Sequence, residues 1–181
     1  MTEPQRGRRA IEVGPTGKTV ATNLGRLRER RGLTTRQLSA ALERGGRPIP
    51  PSGITRMEKG ERVITADDLA ALATVFGVSP SALLLPMTDS PSDTVEVTGG
   101  GSVPAGDAWR WGNGDRPLKL TEGKERTEML EHHLYGQPQW LWSAGRDASM
   151  VNAQLRAQGF PIDEWLLKAG LVEPPQEGDD G

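Results

Sequence analysis

From Lys18 to Leu85 the apolar positions fall at helical spacing, interrupted by Gly, Pro and small polar residues. Val20, Leu24 and Leu27 recur at i, i+4 and i+7, while Arg26, Arg28, Arg30 and Arg31 point elsewhere, which predicts an amphipathic helix over Lys18–Arg31. Gly32, after a basic last turn, is its stop signal. Thr34-Thr35-Arg36-Gln37 then has the form of a capping box, with Thr34 as the cap and Gln37 three residues on. The helix it opens turns Leu38, Ala41 and Leu42 inward and ends near Gly45-Gly46.

A turn containing Arg47 and Pro48 leads through Ile49 to the stretch Pro50–Arg62. Pro51 suits the first position of a helix, where a missing N–H costs nothing. Ile54 and Met57, at i and i+3, would anchor one side of this helix, leaving Ser52, Thr55, Arg56 and Lys59 on the other before Gly60 stops it. An apolar back with a polar, cationic front suits a groove in DNA. Thr65 caps a fourth helix with Asp67 and Asp68 at the favourable end of its dipole; Leu69, Leu72, Ala73 and Phe76 form its apolar face and Gly77 ends it. Ser79-Pro80 begins a short fifth helix that ends at Leu83-Leu84-Leu85. The expectation is an all-α domain of five helices over residues 19–86.

Outside this domain the signals thin out. Residues 1–18 form a basic arm, with Arg6, Arg8 and Arg9, expected to be disordered; it reads either as a solvated tail or as an arm that enters a DNA groove. Gly14-Pro15-Thr16-Gly17-Lys18-Thr19 invites comparison with a phosphate-binding loop. The first glycine of that motif would fall on Glu12, and no buried strand precedes it, so the comparison fails. Residues 87–106 are rich in Pro, Ser, Thr, Asp and Gly and predict a linker, with Thr94–Val97 able to run extended. Residues 107–171 predict a mostly helical acidic region with helices near 123–135, 146–158 and 161–169, and residues 172–181 a disordered tail. All five tryptophans lie in this half, as a small core or as an exposed pair on a partner or dimer surface.

Composition sharpens the division. The chain of 181 residues carries a net charge of only −2. Residues 1–86, however, hold 14 Lys/Arg against 8 Asp/Glu, and the remainder 8 against 16. A basic module joined to an acidic one points to a polyanion-binding domain with a partner or regulatory region. With no cysteine there is no disulfide framework and no thiolate metal site. His132-His133 diverge on a helix and have no third ligand at zinc spacing, so no metal or other cofactor is expected. No arrangement of nucleophile and base, or of paired carboxylates, argues for an enzyme. No apolar run approaches the roughly 20 residues of a membrane span, and the N-terminus is polar, which makes the cytoplasm the expected location.

Taken together, Leu27-Arg28, Gly32-Leu33-Thr34, Leu38, Leu42, Ile49, Ile54-Thr55-Arg56-Met57-Glu58-Lys59-Gly60, Leu69-Ala70, Leu72-Ala73, Phe76-Gly77-Val78-Ser79 and Leu83-Leu84 resemble the Cro/C1-type helix-turn-helix domain of the lambda-like repressors and xenobiotic-response-element regulators. The resemblance covers about residues 19–86. It departs from the family at Thr35, where Gln often stands, at Pro51, where a polar reader often stands, and in an enlarged turn around Arg44–Pro50. The resemblance implies a sequence-specific transcriptional regulator of bacterial or phage type that binds double-stranded DNA as a homodimer. The acidic half would then supply dimerisation or sense a protein or small-molecule effector. Ser52, Thr55 and Arg56 would read bases, and Thr35, Arg36, Arg47, Lys59 and Arg62 would hold phosphates. The alternative for Arg56 and Lys59 is a solvated face paired with Glu58 or Glu61, and for the chain a protein-interaction or antitoxin-like adaptor on the same fold.

Overall fold

The computed structural model describes residues 13–138 and residue 141. Five helices come first: α1 (Pro15–Arg30), α2 (Thr35–Arg44), α3 (Pro51–Glu58), α4 (Ala66–Phe76) and α5 (Ser81–Leu84). The Thr34–Gln37 capping box forms in both directions: Gln37 N donates to Thr34 Oγ1 at 3.2 Å, and Thr34 N donates to Gln37 Oε1 at 2.8 Å. A second box opens α4, where Asp68 N donates to Thr65 Oγ1 and Thr65 N to Asp68 Oδ2. α4 ends where Gly77 adopts φ 63°, a left-handed conformation that turns the Val78 N–H back onto the Ala73 carbonyl at 3.0 Å.

The apolar faces converge on one core. Leu24 and Leu27 of α1, Leu38 and Leu42 of α2, Ile54 and Met57 of α3, Leu72, Ala73 and Phe76 of α4, and Leu83 of α5 pack with Ile49. Asn23 is one of the polar residues buried beside this core, with Asp68 and Ser81: on α1, it donates through Nδ2 to the carbonyls of Leu83 and Leu85 at 3.1 and 2.8 Å. These carbonyls lie where α5 ends, so α1 satisfies acceptors that the short helix leaves open.

The stretch expected to be a linker, and the all-α class, both need correction. Strands β1 (Thr94–Val97) and β2 (Gly101–Pro104) form an antiparallel hairpin with Val95 opposite Val103, leading into α6 (Ala105–Gly112). The glycine run that suggested a flexible spacer is the hairpin turn. Gly99 and Gly101 take positive φ, and Val95, Val97 and Val103 alternate onto one face. That face packs with Leu85, Ala105 and Ala108 into a second cluster flanked by Leu84, Trp109 and Leu118. Polar ties reinforce it. Trp109 Nε1 donates to the Pro86 carbonyl at 3.0 Å, Ser81 Oγ to the Gly112 carbonyl at 2.6 Å, and Thr16 and Thr98 exchange backbone–hydroxyl bonds. Trp109 therefore belongs to a core, while Trp111 stands 37% exposed.

α7 (Glu125–Gly136) lies where a helix near 123–135 is expected. The chain divides into two units at Met129/Leu130. Residues 1–12 of the expected arm, the helices expected near 146–158 and 161–169, and the tail from residue 172 lie outside the described residues. The end of the arm is not disordered as expected: Pro15–Lys18 form the first turn of α1, with Pro15 at its first position. Among the described residues no helix is long and apolar enough to cross a membrane, and no cluster of His, Asp or Glu could hold a metal ion.

Candidate nucleic-acid interface

α2, the turn after it and α3 form the unit of interest. Their backbone is closed by Arg47 N donating to the Leu42 carbonyl at 2.9 Å and Ser39 Oγ donating to the Ile49 carbonyl at 2.6 Å. The enlarged turn is therefore an ordered connection between the two helices. Pro50 and Pro51 fix the entry to α3, since both have restricted φ and neither carries an N–H.

The back of α3 is held firmly. Ile54 and Met57 are fully buried. Glu58 accepts a two-pronged bond from Arg28 of α1, Nε to Oε1 at 2.6 Å and Nη2 to Oε2 at 3.1 Å, while Arg28 Nη1 donates to the Leu33 carbonyl at 3.0 Å. The hydrogen bond to Glu58 raises the pKa of Arg28, outweighing its partial burial.

The front of α3 presents Ser52, Arg56 and Lys59, all exposed and spaced at i, i+4 and i+7 on one face. Neither Arg56 nor Lys59 forms an ion pair with Glu58 or Glu61: Glu58 is taken by Arg28, and Arg56 Nη2 makes only a long 3.4 Å bond to the Glu61 carbonyl. Thr55 flanks this face, half-buried, with Oγ1 donating back to the Pro51 carbonyl at 3.1 Å. Its hydroxyl proton is thus engaged within the helix. At the start of α2, Thr35 is half-buried and Arg36 exposed. The structure brings Ser52, Thr55, Arg56 and Lys59 together on α3.

Arg47 and Arg62, expected at phosphates, are turned to a different partner. Arg47 Nε donates to Asp68 Oδ1 at 2.8 Å and Nη2 to Thr65 Oγ1 at 3.2 Å, and Arg62 Nη2 lies 3.7 Å from Asp68 Oδ2. The Asp68 side chain has no solvent exposure. Burial pushes its pKa up, but the hydrogen bonds from Arg47 and Thr65 outweigh that and hold it below the ordinary value. A count of surface cations gives no sign of this, because the attracting acid lies in the next helix. The available signal is the spacing Thr65-x-x-Asp68, a capping box that folds the carboxylate back toward the loop. Read only as a helix-dipole charge, Asp68 escapes notice, and Glu58, weighed only as a partner of Arg56 and Lys59, escapes notice as the partner of Arg28.

No curated protein and no solved structure matches the chain. Residues 20–84, the span holding nearly all of α1 through α5, match the family model described as a helix-turn-helix domain, and the chain carries such a domain there.

Proposed function

We propose that the protein is a sequence-specific, DNA-binding transcriptional regulator of the Cro/C1 type, acting in the cytoplasm as a homodimer. In this reading its acidic C-terminal half serves dimerisation or effector sensing. The observation that carries it is the two-sidedness of α3: a back fixed by Ile54, Met57 and the Arg28–Glu58 pair, and a front where Ser52, Arg56 and Lys59 stand together without acidic partners. A helix presented this way enters the major groove while the helix before it crosses the backbone.

Arg56 pairs with guanine O6 and N7, worth roughly 1–3 kcal/mol against the wrong base. Ser52 hydrogen-bonds a base edge. Thr55, its hydroxyl proton engaged at Pro51, offers its methyl to thymine. Thr35, Arg36 and Lys59 hold phosphates, which fix register without reading sequence.

Selection of genomic fragments by the full chain, followed by binding at two salt concentrations, tests the reading. Enrichment of defined fragments, with log K falling steeply in log salt, is the expected result. Absence of DNA retention at low salt would sink it and favour the adaptor reading.

A further inference from the structure

We infer that Arg47, Arg62 and Asp68 form a positioning cluster that fixes the pose of α3 and thereby its discrimination between DNA sequences. The inference rests on α3 being the reading helix. It reassigns two cations that charge alone places at phosphates.

The first observation is Gly53. Glycine is among the least favourable residues in a helix, yet Gly53 sits buried in the first turn of α3. A Cβ there would lie 2.7 Å from Arg62 Nη1, 3.2 Å from Ile49 Cγ2 and 3.4 Å from Pro50 Cδ. The Arg62 guanidinium thus rests directly against the α3 backbone, in space that only glycine leaves open. Its other terminal nitrogen reaches Asp68 Oδ2 at 3.7 Å.

The second observation is the shared carboxylate. Asp68, with a fully buried side chain, draws in Arg47 from the turn before α3 and Arg62 from the loop after it, while its Oδ2 also accepts from Thr65 N at the cap of α4. Both flanks of α3 are therefore referenced to the first turn of α4 through one group. Beside the packing of Ile54 and Met57 and the Arg28–Glu58 pair on the back of α3, the cluster ties the turn before the helix and the loop after it to α4. A side chain displaced slightly from a base edge loses its hydrogen bonds while phosphate contacts, broad in geometry, persist.

Arg62→Gln and Gly53→Ala in the full chain separate this role from phosphate binding, with Arg47→Gln as a third variant. Each is tested on a fragment enriched by the wild type and on an unrelated fragment, across a salt series. Positioning predicts that affinity for the enriched fragment falls about tenfold, near the worth of one base contact, while the unrelated fragment is bound almost as before. The salt slope should stay at the wild-type value in all three variants. If Arg62 or Arg47 holds a phosphate, both affinities fall together and the slope drops by about 0.9 for the lost contact, which overturns the inference. Unchanged discrimination in Gly53→Ala, which keeps every charge, also overturns it. Should Arg62→Gln fail to fold, Gly53→Ala and Arg47→Gln decide alone. Failure of the wild type to prefer any fragment is a separate outcome, refuting the regulator reading and the inference with it.

Discussion

Glu58→Gln removes one charge from the link that fixes α3 to α1. The two bonds it disturbs are 2.6 and 3.1 Å long, and the Arg28 and Glu58 side chains are 16% and 17% exposed. Deleting one partner of a fully buried pair costs ~3–5 kcal/mol, because the remaining charge is stranded away from water. Here Arg28 keeps the Leu33 carbonyl at 3.0 Å and some solvent, and Gln retains one acceptor, so the expected loss is about 2 kcal/mol. For a domain of this size, that lowers Tm by roughly 10 °C. Urea unfolding at neutral pH measures it directly. A cycle of Arg28→Met, Glu58→Met and the double variant Arg28→Met/Glu58→Met isolates the pair. With no unpaired charge left behind, the double variant should be at least about 1 kcal/mol more stable than the sum of the single losses implies. A Glu58→Gln loss below about 0.5 kcal/mol, or strict additivity in the cycle, would mean that the pair does not hold α3 to α1.

Three further outcomes follow from the same structure. Because the folded pKa of Asp68 is depressed, its contribution to stability is complete above the ordinary carboxylate value of about 3.9 and is lost as pH falls toward the lower folded value. Asp68→Asn should therefore flatten the acid limb of the stability–pH curve measured by denaturant unfolding, and identical limbs would contradict the assignment. Ending the chain after Pro86 strips the hairpin and α6 from the buried Leu85, and should destabilise the helical domain by about 1.5–3 kcal/mol in thermal unfolding against a chain ending after Lys124. Gly77→Ala, at a left-handed φ of 63°, should cost about 1 kcal/mol in the same assay, whereas a neutral effect would mean the α4 terminus adjusts freely.

The helical part of the fold was legible because its determinants are local. Periodic apolar positions, the Thr34–Gln37 box and the stops at Gly32 and Gly77 each act within one or two turns, so reading them in order recovers α1 through α5. The hairpin was not, since Gly99-Gly100-Gly101 has the composition of a spacer and Val95, Val97 and Val103 gain meaning only once Leu84 and Leu85 are there to receive them. The cationic face of α3 was legible from Ser52, Arg56 and Lys59 for the same local reason. What escaped were the long-range pairings. Arg28 finds Glu58 30 residues on, and Arg47 finds Asp68 21 residues on. Charge counting treats all such arginines alike, whereas burial of one carboxylate decides which of them remain free to meet a phosphate.

Whether the exposed face of α3 reads base sequence is decided by Arg56→Ala. Its measurement is the ratio of affinities for a wild-type-enriched fragment and an unrelated one at fixed salt. Arg56 stands on the surface with one long bond to a backbone carbonyl, so its loss should leave folding intact. Base reading by Arg56 lowers the ratio by at least about fivefold, the lower end of the discrimination expected from one bidentate contact to guanine. A ratio equal to that of the wild type, with both affinities lowered in parallel, would contradict it.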